Sequence, residues 1–217
     1  MASELFPTAS NADERRTRRT NEQRRADTRS RLLDATIRCL IQEGYHGTTT
    51  RRVIELSGVS QGAQNYHFPR RIDLVVTAIE RLAQRRIDEL LELAADFPTQ
   101  PRARLAALLD IIWADFSGPA FTVLVELWVA AAHDLELHDR LIPVERQVAQ
   151  GVFSIASEHF AQELAAFPDW ARRLTLALSA IRGLALSERF EPREPRLRRD
   201  PWPDFRETLL AALLPNA

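Results

Sequence analysis

The chain has 217 residues, 45% hydrophobic and 27% charged, enough apolar material for one large or two small domains with a real core. No uncharged apolar run approaches the roughly 18 residues of a membrane span, and one cysteine, Cys39, excludes an internal disulfide and a multi-cysteine metal centre. The net charge of −1 hides an asymmetry: residues 1–86 carry 16 Arg and 10 acids (+6), residues 87–217 carry 13 Arg and 20 acids (−7), and there is no lysine. A basic front and an acidic back suit a nucleic-acid reader joined to a domain that stays off the polyanion. The N-terminus is polar and Arg-rich, without a secretory apolar segment, so a cytoplasmic location is expected.

In chain order, residues 1–23 contain Pro7 and the run Arg15, Arg16, Arg18, Arg19, with too few apolar side chains to fold alone. They read as a disordered basic arm, of a kind that can lie along phosphates or in a minor groove. Arg24–Glu43 reads as the first helix, with Leu33, Ile37, Leu40 and Ile41 at helical spacing and Gly44 as its stop. Cys39, in mid-helix, is expected to be a buried small apolar residue.

The stretch from Thr48 to Leu74 organises the rest. Thr49 is an N-cap for a helix bearing Val53, Ile54 and Leu56. Gly58 ends that helix, Val59 plugs the corner, and Ser60 caps a second helix from Gln61 to about Phe68, broken by Pro69. This is a helix-turn-helix, whose second helix enters the major groove. Gln and Asn can bond adenine bidentately, so Gln61, Gln64 and Asn65 are the candidates for base readout. Thr49, Thr50 and Arg51 can bond phosphate through hydroxyl, guanidinium and backbone N–H groups. Phe68 is expected to turn inward.

An ordered set of residues in this region is similar to the DNA-binding domain of the TetR family of bacterial transcriptional repressors. The set is Leu32-Leu33-Asp34-Ala35, Glu43-Gly44-Tyr45, Thr48-Thr49, Gly58-Val59-Ser60, Gly62-Ala63, Tyr66-His67-Phe68 and Asp73-Leu74. The resemblance implies phosphate contacts from Tyr66 and His67, and from Arg71, which stands where the family usually has lysine. Arginine keeps the charge there and adds a fork. Three departures stand out. Arg52 replaces the acidic residue that often completes the capping box. Arg70 replaces a small N-cap, and Gln64-Asn65 replaces an apolar-aromatic pair.

From Arg71 a long helix is expected to about Ala95, with Ile72, Val75, Val76, Ile79, Leu82, Ala83, Leu90 and Leu93 as its stripe. It is the natural lever between front and back. Pro98 and Pro101 break the chain. Further helices are expected over Arg102–Phe116, Ala120–His133 and Leu137 to about Ala166, the last delayed or kinked by Pro143. Another runs from Trp170 to an end at Arg189. A Pro- and Arg-rich loop over 190–203 precedes a short final helix with Phe205, Leu209, Leu210 and Leu213.

No β pattern or repeat is found, so the expected class is all-α. The expected domains are an arm (1–23), a helix-turn-helix domain (24–70) and a helical effector-binding and dimerisation domain (71–217). The resemblance implies a dimer interface on the last two long helices, carried here by Leu174, Ala177, Leu178, Ile181, Leu184, Ala185 and Leu209. Trp113, Phe116, Phe121, Trp128, Phe153 and Phe160 could line an effector pocket, with His133 or His159 as a polar handle. Ordinary core is the competing assignment for each aromatic.

Enzyme chemistry has no support. The five histidines form no metal spacing. Glu43-Gly44-Tyr45-His46 has the Glu-x-x-His spacing, but it occurs once and at a glycine stop. There is no phosphate-binding glycine loop and no serine elbow. No catalytic residue, metal or cofactor is expected. The expected function is a homodimeric repressor on a palindromic double-stranded DNA operator, released by a small apolar or amphipathic effector. An activator or ligand-independent regulator would share the same head. A helical small-molecule carrier that does not read DNA is a different class, and the basic front with Tyr66-His67 argues against it.

Overall fold

The computed structural model describes residues 9–162, 169–190 and 200–214, and among them every regular element is helical. The helices are α1 (Ala9–Gly47), α2 (Thr50–Ser57), α3 (Gln61–His67), α4 (Arg71–Ala94), α5 (Pro101–Ser117), α6 (Pro119–Ala131), α7 (Leu135–His159), α8 (Trp170–Ser187) and α9 (Trp202–Leu213), with a 3₁₀ turn at Glu188–Phe190. The all-α class is as expected. The chain divides into two compact units, Met1–Arg81 and Leu82–Ala217, so the division falls inside α4 rather than at its start.

In the first unit, α1 starts far earlier than Arg24. Residues 9–23, expected to be disordered, are helical and continuous with the rest of α1. Residues 9–43 contain no Gly or Pro and are rich in Arg, a good helix former. A helix nucleated on its buried part propagates through such residues at little cost. Low hydrophobicity reports only that a segment cannot build a core. Residues 1–8 of the arm lie outside the described residues. Gly44, at φ 71° and ψ −178°, interrupts the helix where a stop was expected.

Leu33, Ile37 and Leu40 are buried, whereas Ile41 is 39% exposed. One residue turns about 100° around a helix, which carries Ile41 off the face that Leu40 buries. Cys39 is fully buried, and desolvation, the largest influence on it, pushes its thiol up from the ordinary range.

The corner between α2 and α3 follows from its capping residues. Thr49 Oγ1 accepts the Arg52 N–H at 3.2 Å, and Ser60 Oγ accepts the Ala63 N–H at 3.3 Å. Gly58 takes the left-handed conformation at φ 63°, and its N–H donates to the Ile54 carbonyl at 2.9 Å. Val59 and Phe68 are buried. Arg31, on α1, donates from Nη2 to the Ser57 carbonyl at 2.7 Å and so ties α1 to the last turn of α2.

The second unit packs α5, α8 and α9 around Leu105, Leu108, Leu174, Ile181 and Leu210. Pro101 and Pro119 occupy the first turns of α5 and α6, where no N–H is needed. Pro143 does not delay α7. The helix begins at Leu135, because Asp134 Oδ1 accepts the Leu137 N–H at 3.1 Å, and Pro143 lies inside it. That helix ends at His159 rather than near Ala166, and residues 163–168 lie outside the described set, as do 191–199 of the expected loop. Leu93 is 53% exposed, while Ala94, four residues after Leu90 and on the same face, takes the core position.

Gly58→Ala is expected to destabilise the first unit by about 1–2 kcal/mol, the cost of a side chain in the left-handed region. An added Cβ would also meet Arg31 Nη2 at 3.2 Å. Urea unfolding followed by circular dichroism measures this, and a variant as stable as the parent would remove Gly58 as a requirement of the corner.

Candidate nucleic-acid interface

α3 has 7 residues, so its two faces separate cleanly. Gln61, Gly62, Asn65 and Tyr66 are exposed, while Gln64 and Phe68, four residues apart, point inward. Gln64 is 1% exposed, and its Nε2 donates to the Phe68 carbonyl at 2.7 Å. Its side chain is thus turned away from the face that carries Gln61 and Asn65, where base readout was expected of all three. The amide is spent inside the head, closing the end of α3, and only Gln61 and Asn65 keep free faces toward a groove. A Cβ added at Gly62 would meet nothing within 4 Å, so the surface there is open.

Tyr66 is 65% exposed and meets His67 edge-on at 5.2 Å, with His67 half-buried. The Arg25 guanidinium, from α1, stands 5.6 Å from the centre of the Tyr66 ring, and that of Arg29 stands 5.4 Å from Phe68. Sequence reasoning missed Arg25 as a neighbour of Tyr66, because its only signal was membership of an arginine-rich stretch. At the start of α2, Thr49 is exposed, Thr50 is half-buried and Arg51 projects with 90% of its side chain exposed, beside Glu55 at 3.1 Å.

Two arginines have internal roles. Arg52, in place of a capping-box acid, meets Glu43 at 2.5 Å and Glu55 at 3.4 Å. Hydrogen bonds from Arg51 and then Arg52 hold the Glu55 carboxyl below the ordinary carboxylate range. Arg71 donates from Nε to the Thr48 carbonyl at 2.7 Å and from Nη2 to the Tyr45 carbonyl, with its guanidinium 4.3 Å from the Tyr45 ring centre. It stitches the start of α4 to the α1–α2 connection. Nε and Nη2 share one edge of the fork, so that edge is committed to main-chain carbonyls rather than to the expected phosphate. Arg70 pairs with Asp73 at 3.3 Å.

In the second unit the aromatic candidates fall into two groups. Phe116, Phe121 and Trp128 form an edge-to-face chain, with centroids 5.2 Å and 6.0 Å apart. Trp113 lies elsewhere, stacked on Trp202 at 4.8 Å and 3°. Phe153 is half-buried against the core, Phe160 is fully buried, and His159 meets Phe97. His133 is exposed in the turn after α6 and is not a handle for the aromatics. The polar groups that do meet them were missed. The Trp128 indole N–H donates to Glu145 at 2.9 Å, and the Arg182 guanidinium lies 5.3 Å from Phe116 and 5.5 Å from Trp128.

The dimer candidates need the same correction. Leu174, Ala177, Leu178, Ile181, Ala185 and Leu209 are buried within their own chain, and Leu184 packs against that core. The strongest apolar period on α8 marks its intrachain face. Its opposite face exposes Leu176 (59%) and Leu186 (40%), with Ser179, Ala180 and Gly183 between them.

A capped, exposed reading helix carrying carboxamides, a phenol and nearby guanidiniums defines a helix-turn-helix DNA-binding domain. The family model described as "Bacterial regulatory proteins, tetR family" matches residues 32–78. An uncharacterised HTH-type transcriptional regulator of Mycobacterium bovis is 31% identical over 150 residues, which cover 67% of this chain and 76% of that protein. The HTH-type transcriptional regulator CymR of Pseudomonas putida is 28% identical over 197 residues, covering 84% of this chain and 89% of that one. The chain belongs to the TetR family and is a transcriptional regulator, not an enzyme. The crystal structure of the multidrug-binding protein EbrR complexed with proflavin shares the fold, with a TM-score of 0.57, 23% identity, and coverage of 85% of this chain and 99% of that one.

Asn65→Ala is expected to weaken binding to a protected duplex without moving the unfolding midpoint. Gln64→Ala is expected to cost about 1–3 kcal/mol of stability, because it strips the Phe68 carbonyl of its partner. Fluorescence anisotropy and thermal melting of both variants separate the two roles, and a stable Gln64→Ala that loses sequence preference would return Gln64 to the reading face.

Proposed function

We propose that the protein is a homodimeric repressor of the cytoplasm that holds a near-palindromic operator and is released by a small amphipathic molecule bound in the second unit. The observation that carries this is the outward face of α3, where Gln61, Asn65 and the largely exposed Tyr66 stand together at the surface, with the Arg25 guanidinium beside the Tyr66 ring. In this proposal Gln61 and Asn65 read base edges, while Tyr66, His67, Thr49, Thr50 and Arg51 hold phosphates, joined by Arg25 beside Tyr66. The arginine-rich extension of α1 adds positive charge to the same unit. Its helical form makes it a stiff rather than a flexible arm.

Two copies are needed to meet two half-sites about one helical turn of DNA apart. The outer stripe of α8, from Leu176 through Gly183 to Leu186, is the proposed contact between them. Its small residues allow close helix approach, and its leucines supply apolar area. EbrR, which shares the fold, binds proflavin in its own structure, and this supports a ligand role for the second unit. Release of DNA requires the ligand to prefer one of two conformations of the dimer.

Footprinting of the DNA upstream of the gene at two salt concentrations tests the proposal. A protected, two-fold symmetric site that survives the higher salt is expected, with a loss of about ten-fold or more in affinity for Tyr66→Ala. Diffuse protection that vanishes with salt would reduce the interaction to phosphate attraction and favour the carrier. Transcription from the protected promoter then separates a repressor from an activator. Independently, Leu176→Arg combined with Leu186→Arg should yield a helical monomer in sedimentation, and a persistent dimer would place the contact elsewhere.

A further inference from the structure

We propose that the second unit takes its small ligand through Arg182, and that this ligand is an aromatic molecule carrying a carboxylate. The inference rests on the ligand-binding role proposed above and adds to it a residue and a chemical class.

Four helices bring the relevant groups together. α5 supplies Phe116, α6 supplies Phe121 and Trp128, α7 supplies Glu145 and α8 supplies Arg182. The Arg182 guanidinium lies over the rings of Phe116 and Trp128. Its nearest charged partner is poorly placed, with Glu145 Oε2 at 3.8 Å from Nη2, beyond hydrogen-bond distance. Glu145 is instead held by the indole N–H of Trp128 at 2.9 Å. Arg182 Nε is buried and has no hydrogen-bond partner among the described residues. A buried guanidinium donor without an acceptor is a standing cost that an incoming acceptor relieves. The Arg182 and Glu145 side chains each remain 31% exposed, so a molecule from solvent can reach them.

The chemistry selects the ligand. A carboxylate presents two coplanar acceptors that match two N–H groups on one edge of a guanidinium. The edge-to-face chain of Phe116, Phe121 and Trp128 offers apolar contact to a planar ring attached to that carboxylate. A cationic ligand is disfavoured, because the ring faces that would receive it already carry cations. Arg182 covers Phe116 and Trp128, and Arg189 lies 5.5 Å from the centre of Phe121 while donating to the Gly118 carbonyl and to Thr122. These rings thus meet two guanidiniums, Arg182 and Arg189, while the Glu145 carboxylate meets the Trp128 indole.

The test titrates the full chain with naphthoate, naphthalenemethanol and naphthylmethylammonium, which share a ring and differ in charge, by calorimetry and tryptophan fluorescence. Naphthoate is expected to bind about ten-fold or more tightly than the alcohol, the worth of a charged hydrogen bond, with the ammonium weakest. Arg182→Gln should bring naphthoate down to the alcohol, and Arg182→Lys should restore part of the difference. Melting curves establish that each variant is folded, and the order of the three probes on the parent protein decides the charge preference even if Arg182→Gln does not fold. Equal or tighter binding of the alcohol or the ammonium would overturn the anionic class while leaving a ligand-binding unit in place. A carboxylate preference that persists in folded Arg182→Gln would remove Arg182 from the site. Binding of none of the three would overturn both the inference and the ligand role it rests on.

Discussion

The left-handed turn at Gly58 is the constraint on which the reading head depends. A chain leaving α2 in any other conformation would not bring Ser60 to the N-terminus of α3, nor turn Val59 into the corner. The turn is held from both sides, by the Gly58 N–H on the Ile54 carbonyl and by Arg31 on the Ser57 carbonyl. With the corner set, the orientation of a helix as short as α3 leaves little freedom. Gln64 and Phe68 must face inward together, and Gln61 and Asn65 must face outward together.

The absence of lysine gives arginine two tasks that other chains divide. Where a guanidinium can reach main-chain carbonyls, its fork makes it an internal tie, as at Arg31 and Arg71. Where it reaches none, it stays at the surface as charge available to phosphate, as at Arg51, or over an exposed ring, as at Arg25. A positive charge in the sequence therefore overstates the number of DNA contacts. Some of it is structural, and the positions of carbonyls left unpaired at helix ends decide which.

The second unit shows the same division on a helix. α8 carries two stripes, a strong apolar one for its own chain and a weaker, smaller one left outside. Area burial drives large apolar side chains inward first, so the residues with the clearest period are the least available to a partner. What remains on the outer face is small and partly polar, which suits the close helix packing of the proposed dimer. The aromatic groups divide likewise, into a Trp113–Trp202 stack within the fold and a chain near charged groups from α7 and α8.

Local chemistry alone determined the helical class, the two caps at Thr49 and Ser60, the glycine corner and the inward turn of Phe68. Each depends on neighbours within about four residues, which is the range of a helical hydrogen bond or a cap. The same local rules, weighted toward hydrophobicity, misjudged residues 9–23, because helix propagation needs propensity rather than a core. The tertiary structure decided the rest. Which of Gln61, Gln64 and Asn65 faces outward depends on how α3 leans on its neighbours, and the use of Arg71 depends on carbonyls some 23–26 residues away in sequence. Arg182 meets Phe116 and Trp128 only because α5, α6 and α8 pack together, and no periodicity within one segment encodes a contact between two.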